Sequence, residues 1–161
     1  LSHHPAVLIS SQLHPMNYCD LASDAGYSTR GYKEQSAPSG GCSTQYIDVT
    51  STLGKNGLTN NLAYYVFGDA KDQSKLYRIS LVLNVNNEAE VSQAKRELIR
   101  VVKVVSGKIF SSEPVDLIDV LSNGKSETWT IGEWVVQVKH SVWPSGLGHD
   151  VAVYFLPLQS K

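Results

Sequence analysis

The stretch KLYRISLVLNVN (residues 75–86), followed directly by NEAEVSQAKRELIRVVKVVSGKI (residues 87–109), decides the fold. In its first part Tyr77, Ile79, Leu81, Leu83 and Val85 alternate with Arg78, Ser80, Val82 and Asn84. Successive side chains on a strand point to opposite faces, so the pattern predicts one buried face, as in an antiparallel sheet. The second part changes period. Val91, Ala94, Leu98, Val101, Val105 and Ile109 recur at spacings of three and four, which is the stripe of a long amphipathic helix. Asn87 is placed to cap that helix, and Glu90 stands three residues later in a capping-box relation. Lys95, Arg96, Arg100 and Lys103 fall on the solvent side, and Gly107 marks a point where the helix is expected to stop early. A strand that passes into a helix with a matching apolar face predicts helix-on-sheet packing.

Working upstream, residues 61–68 (NLAYYVFG) and 45–53 (QYIDVTSTL) read as further strands, separated by the turn residues Gly54, Asn56 and Gly57. Pro15 can open a helix in which Tyr18, Leu21, Ala22 and Ala25 follow helical spacing, with Gly26 at the position of a C-terminal cap. This predicts a helix over 15–25. Residues 26–43, with Gly26, Gly31, Pro38, Gly40 and Gly41, read as a loop. Residues 1–14 are expected to be an N-terminal arm and 15–161 a single domain.

Downstream, Pro114 opens a short helix over 114–121, stopped by Ser122, Asn123 and Gly124. Three strands follow, from Thr128 to Ile131, from Trp134 to Val142 and from Asp150 to Leu156. The expected class is α+β, an antiparallel sheet of five to six strands with one long helix packed across it, in the order α-β-β-β-α-(α)-β-β-β.

The chain has 161 residues, 14 of them basic and 15 acidic, for a net charge of −1. No basic stripe is present to displace counterions from a phosphate backbone, so no nucleic-acid partner is expected. No apolar run approaches the roughly 18 residues a membrane span needs. The short run Ala6–Ile9 lacks both the length and the basic flank of a signal core, so any export signal is expected to have been removed.

Cys19 and Cys42 are the two cysteines. They form no CxxC pair and make a poor zinc site with scattered histidines. A disulfide between them would contribute about 3 kcal/mol by closing the intervening loop. It would also place the protein in an oxidising, extracytoplasmic compartment, either periplasmic or secreted. Two buried free thiols are the alternative.

Reaction sites have recognisable residue patterns, and the common ones are missing. There is no phosphate-binding GxxxxGK[ST] loop, no GxGxxG turn and no HExxH zinc motif. Ser28 in GYSTRG has the wrong spacing for a nucleophile elbow. Cys42 has no local cation to lower its pKa; His140 and His149 are the histidines that the fold could bring to it. The carboxylate pairs Asp20/Asp24, Asp69/Asp72 and Asp116/Asp119 have spacings common on solvated surfaces, and His3 and His4 sit in the terminal arm. No catalytic, cofactor-binding or metal-binding residue is assigned.

Trp129, Trp134 and Trp143 cluster near the last hairpin, whose loop WPSGLG carries an aromatic residue and leads into His149 and Asp150. Loops of this kind often make contacts, so Trp143, Leu147, His149 and Asp150 are the candidate partner-binding residues. The expectation is a non-enzymatic, extracytoplasmic protein-interaction module, such as an inhibitor, immunity factor or envelope-assembly accessory protein. A small-molecule or lipid carrier is the alternative, with Tyr64, Tyr65, Phe67 and Tyr77 lining a helix-on-sheet pocket. A hydrolase using His140 or His149 comes third.

Overall fold

The computed structural model describes residues 13–34, 40–110 and 114–158. His3, His4 and most of the expected arm lie outside this range, as do Pro38 and Ser39. The described chain forms one antiparallel sheet with β1 (Gly41–Ser43), β2 (Ile47–Asp48), β3 (Asn61–Gly68), β4 (Leu76–Val85), β5 (Glu127–Ile131), β6 (Trp134–Val142) and β7 (His149–Pro157). Helix α1 (Val91–Ile109) and the shorter α2 (Val115–Asn123) complete it. The strand order is β1-β3-β4-β7-β6-β5, with β2 also paired to β3. The class is α+β, as the sequence predicts, and β7 lies in the middle of the sheet between β4 and β6.

The alternation in residues 75–86 fixes the buried face. Ile79, Leu81, Leu83 and Val85 of β4 are fully buried, with Leu62, Tyr64 and Val66 of β3 and Val151, Val153 and Phe155 of β7. Ala94, Leu98, Val101, Val102, Val105 and Ile109 of α1 belong to the same core. Tyr77 departs from the pattern because the register slips beside it. Phe67 pairs with Arg78 but Gly68 pairs with Leu76, leaving Tyr77 as the extra residue of a bulge. Leu76 takes the buried position and Tyr77 is exposed.

Gly107 does not end α1, which continues to Ile109. A mid-helix glycine costs about 0.5–1 kcal/mol. Burying Ile109 returns about 1.5–3 kcal/mol, so the longer helix wins. Asn87 does cap the helical segment, accepting the Ala89 N–H at 3.2 Å.

Residues 15–25 are not an α-helix. They form two 3-10 turns, Pro15–Tyr18 and Ser23–Ala25. Asn17, Asp20, Ser23 and Asp24 compete for backbone hydrogen bonds, and so short a helix is marginal. The apolar spacing still serves burial, since Tyr18, Ala22 and Ala25 face the core. Gly26, at φ 95°, closes the segment with Gly26 N–H to Ser23 O and Tyr27 N–H to Ala22 O, a Schellman-type end. Helix α1 grips this segment from its polar side. Arg100 donates to Ala25 O at 2.7 Å, and the Tyr27 hydroxyl donates to Glu97 at 2.8 Å.

Two further boundaries differ from expectation. The strand expected over 45–53 is reduced to Ile47–Asp48, and the loop 26–43 ends in β1, where Lys33 pairs with Gly41. Cys19 and Cys42 form a disulfide that ties the first 3-10 segment to β1.

Candidate functional site

Three connections meet at one end of the sheet: the β2–β3 loop, the β4–α1 junction and the β6–β7 hairpin. Polar residues flank the strand ends there, and their side chains build the site. Asn60, fully buried just before β3, is the centre. Its Oδ1 accepts the N–H groups of Asn86 and Asn87 at 2.7 and 2.8 Å, and its Nδ2 donates to Asn87 O at 3.0 Å. One amide thus satisfies three backbone groups at the point where β4 turns into the helix.

Neighbouring side chains extend the network. Asn56 donates to the Asn86 side chain at 2.7 Å, and Asn86 donates to Thr59 O at 2.8 Å. Thr52 gives both its N–H and its hydroxyl to Glu90, at 2.9 and 2.5 Å. That hydroxyl and the Thr52 N–H hold the Glu90 carboxyl below its ordinary range. Glu90 therefore binds the loop, and not the Asn87 N–H that a capping box would use. Gly54 lies so close to Asn86 that an added Cβ would sit 1.7 Å from its carbonyl oxygen.

The hairpin is fastened to the same junction. β7 begins opposite the end of β4, with His149 paired to Val85 and Asp150 to Asn84. His149 Nδ1 lies 2.7 Å from Glu88 Oε1, linking the hairpin to the helix start. Trp143 donates its indole N–H to Asp150 at 2.9 Å, and its ring lies across Gly148, where a Cβ would come within 2.6 Å of it.

Of the four residues singled out from the hairpin, three therefore act as struts. Trp143, His149 and Asp150 are partly buried and hold the loop in shape, while Leu147 is exposed. The most exposed apolar side chain at this end is Val142, at 82%. Leu53, at 65%, and Leu58 project from the neighbouring β2–β3 loop. These four make up nearly half of the large exposed apolar side chains among the described residues. The asparagine network was missed in the sequence reading, although paired Asn60-Asn61 and Asn86-Asn87 at strand ends are its visible signal.

Several of the remaining candidates have structural roles. Cys42 is consumed by the disulfide. Asp24 pairs with Lys108, while Asp69 and Asp72 accept local N–H groups within a turn. His140 sits on the helix-facing side of β6, its two ring nitrogens buried without a hydrogen bond of ordinary geometry. Burial lowers its pKa, Lys95 adds to the effect, and the Lys125 backbone offsets part of it. No group of three or more His, Cys, Asp or Glu residues among the described residues is arranged to hold a metal.

The four aromatic residues expected to line a helix-on-sheet pocket do not share one space. Tyr64 is buried in the core and donates to Tyr18 O at 2.6 Å. Tyr65 and Phe67 lie on the opposite face, stacked with ring centres 5.7 Å apart. Together with Arg30, Lys33 and β1 they line an open cleft of about 440 Å³. Among the described residues no helix is long and apolar enough to cross a membrane. No family model, curated protein or solved structure matches the chain.

Proposed function

We propose that this chain is a non-enzymatic protein-interaction module working in an oxidising, extracytoplasmic compartment, and that the loop-built end of its sheet is the contact surface. The observation that carries this reading is the pairing of exposed apolar tips with a rigid polar base. Leu147, Leu53 and Leu58 face solvent on loops and Val142 at the end of β6, all at the end of the sheet braced by the Asn60 and Trp143–Asp150 hydrogen bonds. Apolar tips that stay ordered lose little conformational entropy when buried against a partner. The Cys19–Cys42 disulfide supports the compartment.

The test compares the wild-type chain with the quadruple substitution Leu53→Ser, Leu58→Ser, Val142→Ser and Leu147→Ser. All four side chains are exposed, so the fold should be unaffected. Cross-linking and quantitative mass spectrometry in extracts of the producing organism should find a stoichiometric protein bound only to the wild type. An identical set of bound proteins for both chains refutes the reading.

A second reading, a small-ligand carrier, draws on the cleft beside β1. Its lining includes the cations Arg30 and Lys33 and the rings of Tyr65 and Phe67, with no carboxylate among the described residues, which favours a small anion with a flat body. Native mass spectrometry of the purified chain that shows a bound small molecule, lost with Arg30→Ala and Lys33→Ala, supports this reading. A bare protein mass counts against it.

A further inference from the structure

One side of the sheet ends in β5. Strand β5 pairs with β6 and with no other strand among the described residues. The two-residue turn Gly132-Glu133, with Gly132 at φ 59°, makes Ile131 and Trp134 the closing pair of the β5–β6 hairpin. A closing pair of this kind exchanges both hydrogen bonds, and bonded and open pairs alternate from there. Trp129 and Glu127 therefore bond back to β6, while Thr128 and Thr130 direct their N–H and C=O groups outward.

Edges of this type are usually guarded by a proline, a bulge or a lysine in the strand. The sequence ETWTI of β5 contains neither proline nor lysine, and its register with β6 runs without a shift. Along its helix-facing side runs a groove of about 340 Å³ between β5 and α2. The groove is lined by Asp116, Asp119, Asn123, Lys125, Glu127 and Trp129, three carboxylates against one ammonium. The Trp129 indole N–H is buried there without an acceptor among the described residues.

We propose that β5 is a docking edge for an extended segment of another protein that carries Lys or Arg at alternate positions and adds one more strand to the sheet. The outward N–H and C=O groups of Thr128 and Thr130 supply the backbone pairing. Alternation sends every second side chain of the added strand into the groove, where Asp116, Asp119 and Glu127 select for positive charge. The edge lies along the side of the sheet, apart from the exposed tips of Leu53, Leu58, Val142 and Leu147, and does not depend on the reading given to them.

The probe is a capped octapeptide alternating lysine with threonine, titrated into isotopically labelled protein while amide resonances are followed. Its glutamate-for-lysine counterpart is the control. The lysine peptide should shift the Thr128 and Thr130 amides, and the glutamate peptide should not. Thr128→Pro removes an outward N–H without touching the β6 ladder and should abolish binding. Asp116→Asn combined with Asp119→Asn should weaken binding about tenfold. Should the proline variant fail to fold, the double asparagine variant and the peptide pair still decide the matter. Binding that is absent, equal for both peptides or unchanged in the asparagine variant overturns the proposal. So does a concentration-dependent dimer that Thr128→Pro disperses, because the edge would then belong to a second copy of this chain.

Discussion

Replacing Asn60 by alanine tests whether one buried amide holds the loop end together. The substitution leaves the N–H groups of Asn86 and Asn87 and the carbonyl of Asn87 without their present partner. Each buried orphan costs about 1–3 kcal/mol. Water entering the vacated space recovers part of the sum, so a loss of about 3–5 kcal/mol is expected. For a chain of this size each kcal/mol lowers Tm by about 2–4 °C, which gives a fall of about 10 °C. Urea unfolding followed by tryptophan fluorescence and by circular dichroism measures the change, provided the two transitions coincide. Asn61→Ala is the control. Its side chain accepts one bond from Asn84 at 2.9 Å on the partly buried outer face, and its removal should cost about 1 kcal/mol or less. An Asn60→Ala loss below about 1 kcal/mol, or one equal to that of Asn61→Ala, refutes the reasoning.

Three other outcomes follow from the same structure. The lowered pKa of His140 means that the unfolded chain takes up a proton before the folded chain does. Stability should therefore fall as pH drops below the ordinary imidazole value of about 6.5 and go on falling to the depressed folded value. Part of that slope should vanish in His140→Phe, as pH-dependent melting curves would register. Replacing both Cys19 and Cys42 by alanine should cost about 3 kcal/mol in chemical denaturation, against no loss if the bond constrains nothing. Gly148→Ala places a Cβ 2.3 Å from Val85 O and 2.6 Å from the Trp143 ring. It should speed amide exchange through the β6–β7 hairpin while leaving β3 protected, and unchanged exchange would contradict the packing.

Where the sequence carried a strong period, the structure was legible in it. Residues 75–86 and 87–109 announce their elements because burial on one face dominates their energetics. The departures all come from interactions that a local pattern does not encode. Tyr77 is displaced by a bulge, which is a property of two strands and not of one. Residues 15–25 keep helical apolar spacing, yet Asn17, Asp20, Ser23 and Asp24 favour tighter turns, and the disulfide and the Arg100 contact hold them there. Gly107 yields to the burial of Ile109. At the candidate site the hairpin loop was located correctly, but which residues project and which brace depended on contacts from Gly148, Glu88 and Asp150. The Asn60 cluster assembles residues from three connections, so no single window displays it.

The central place of β7 has a consequence for how the chain comes to be folded. A chain emerging from the ribosome delivers β1 to β4 and α1 well before residues 149–157, and β5 and β6 cannot join β4 without them. Among the described residues the two halves of the sheet share no strand pairing except through β7, so cooperative folding waits until that segment has emerged. Until then the edge of β4 that will receive β7 has no strand beside it. Under the extracytoplasmic reading proposed above, a polypeptide that stays open while it is being made would suit passage through a translocation pore, with the Cys19–Cys42 bond closing afterwards.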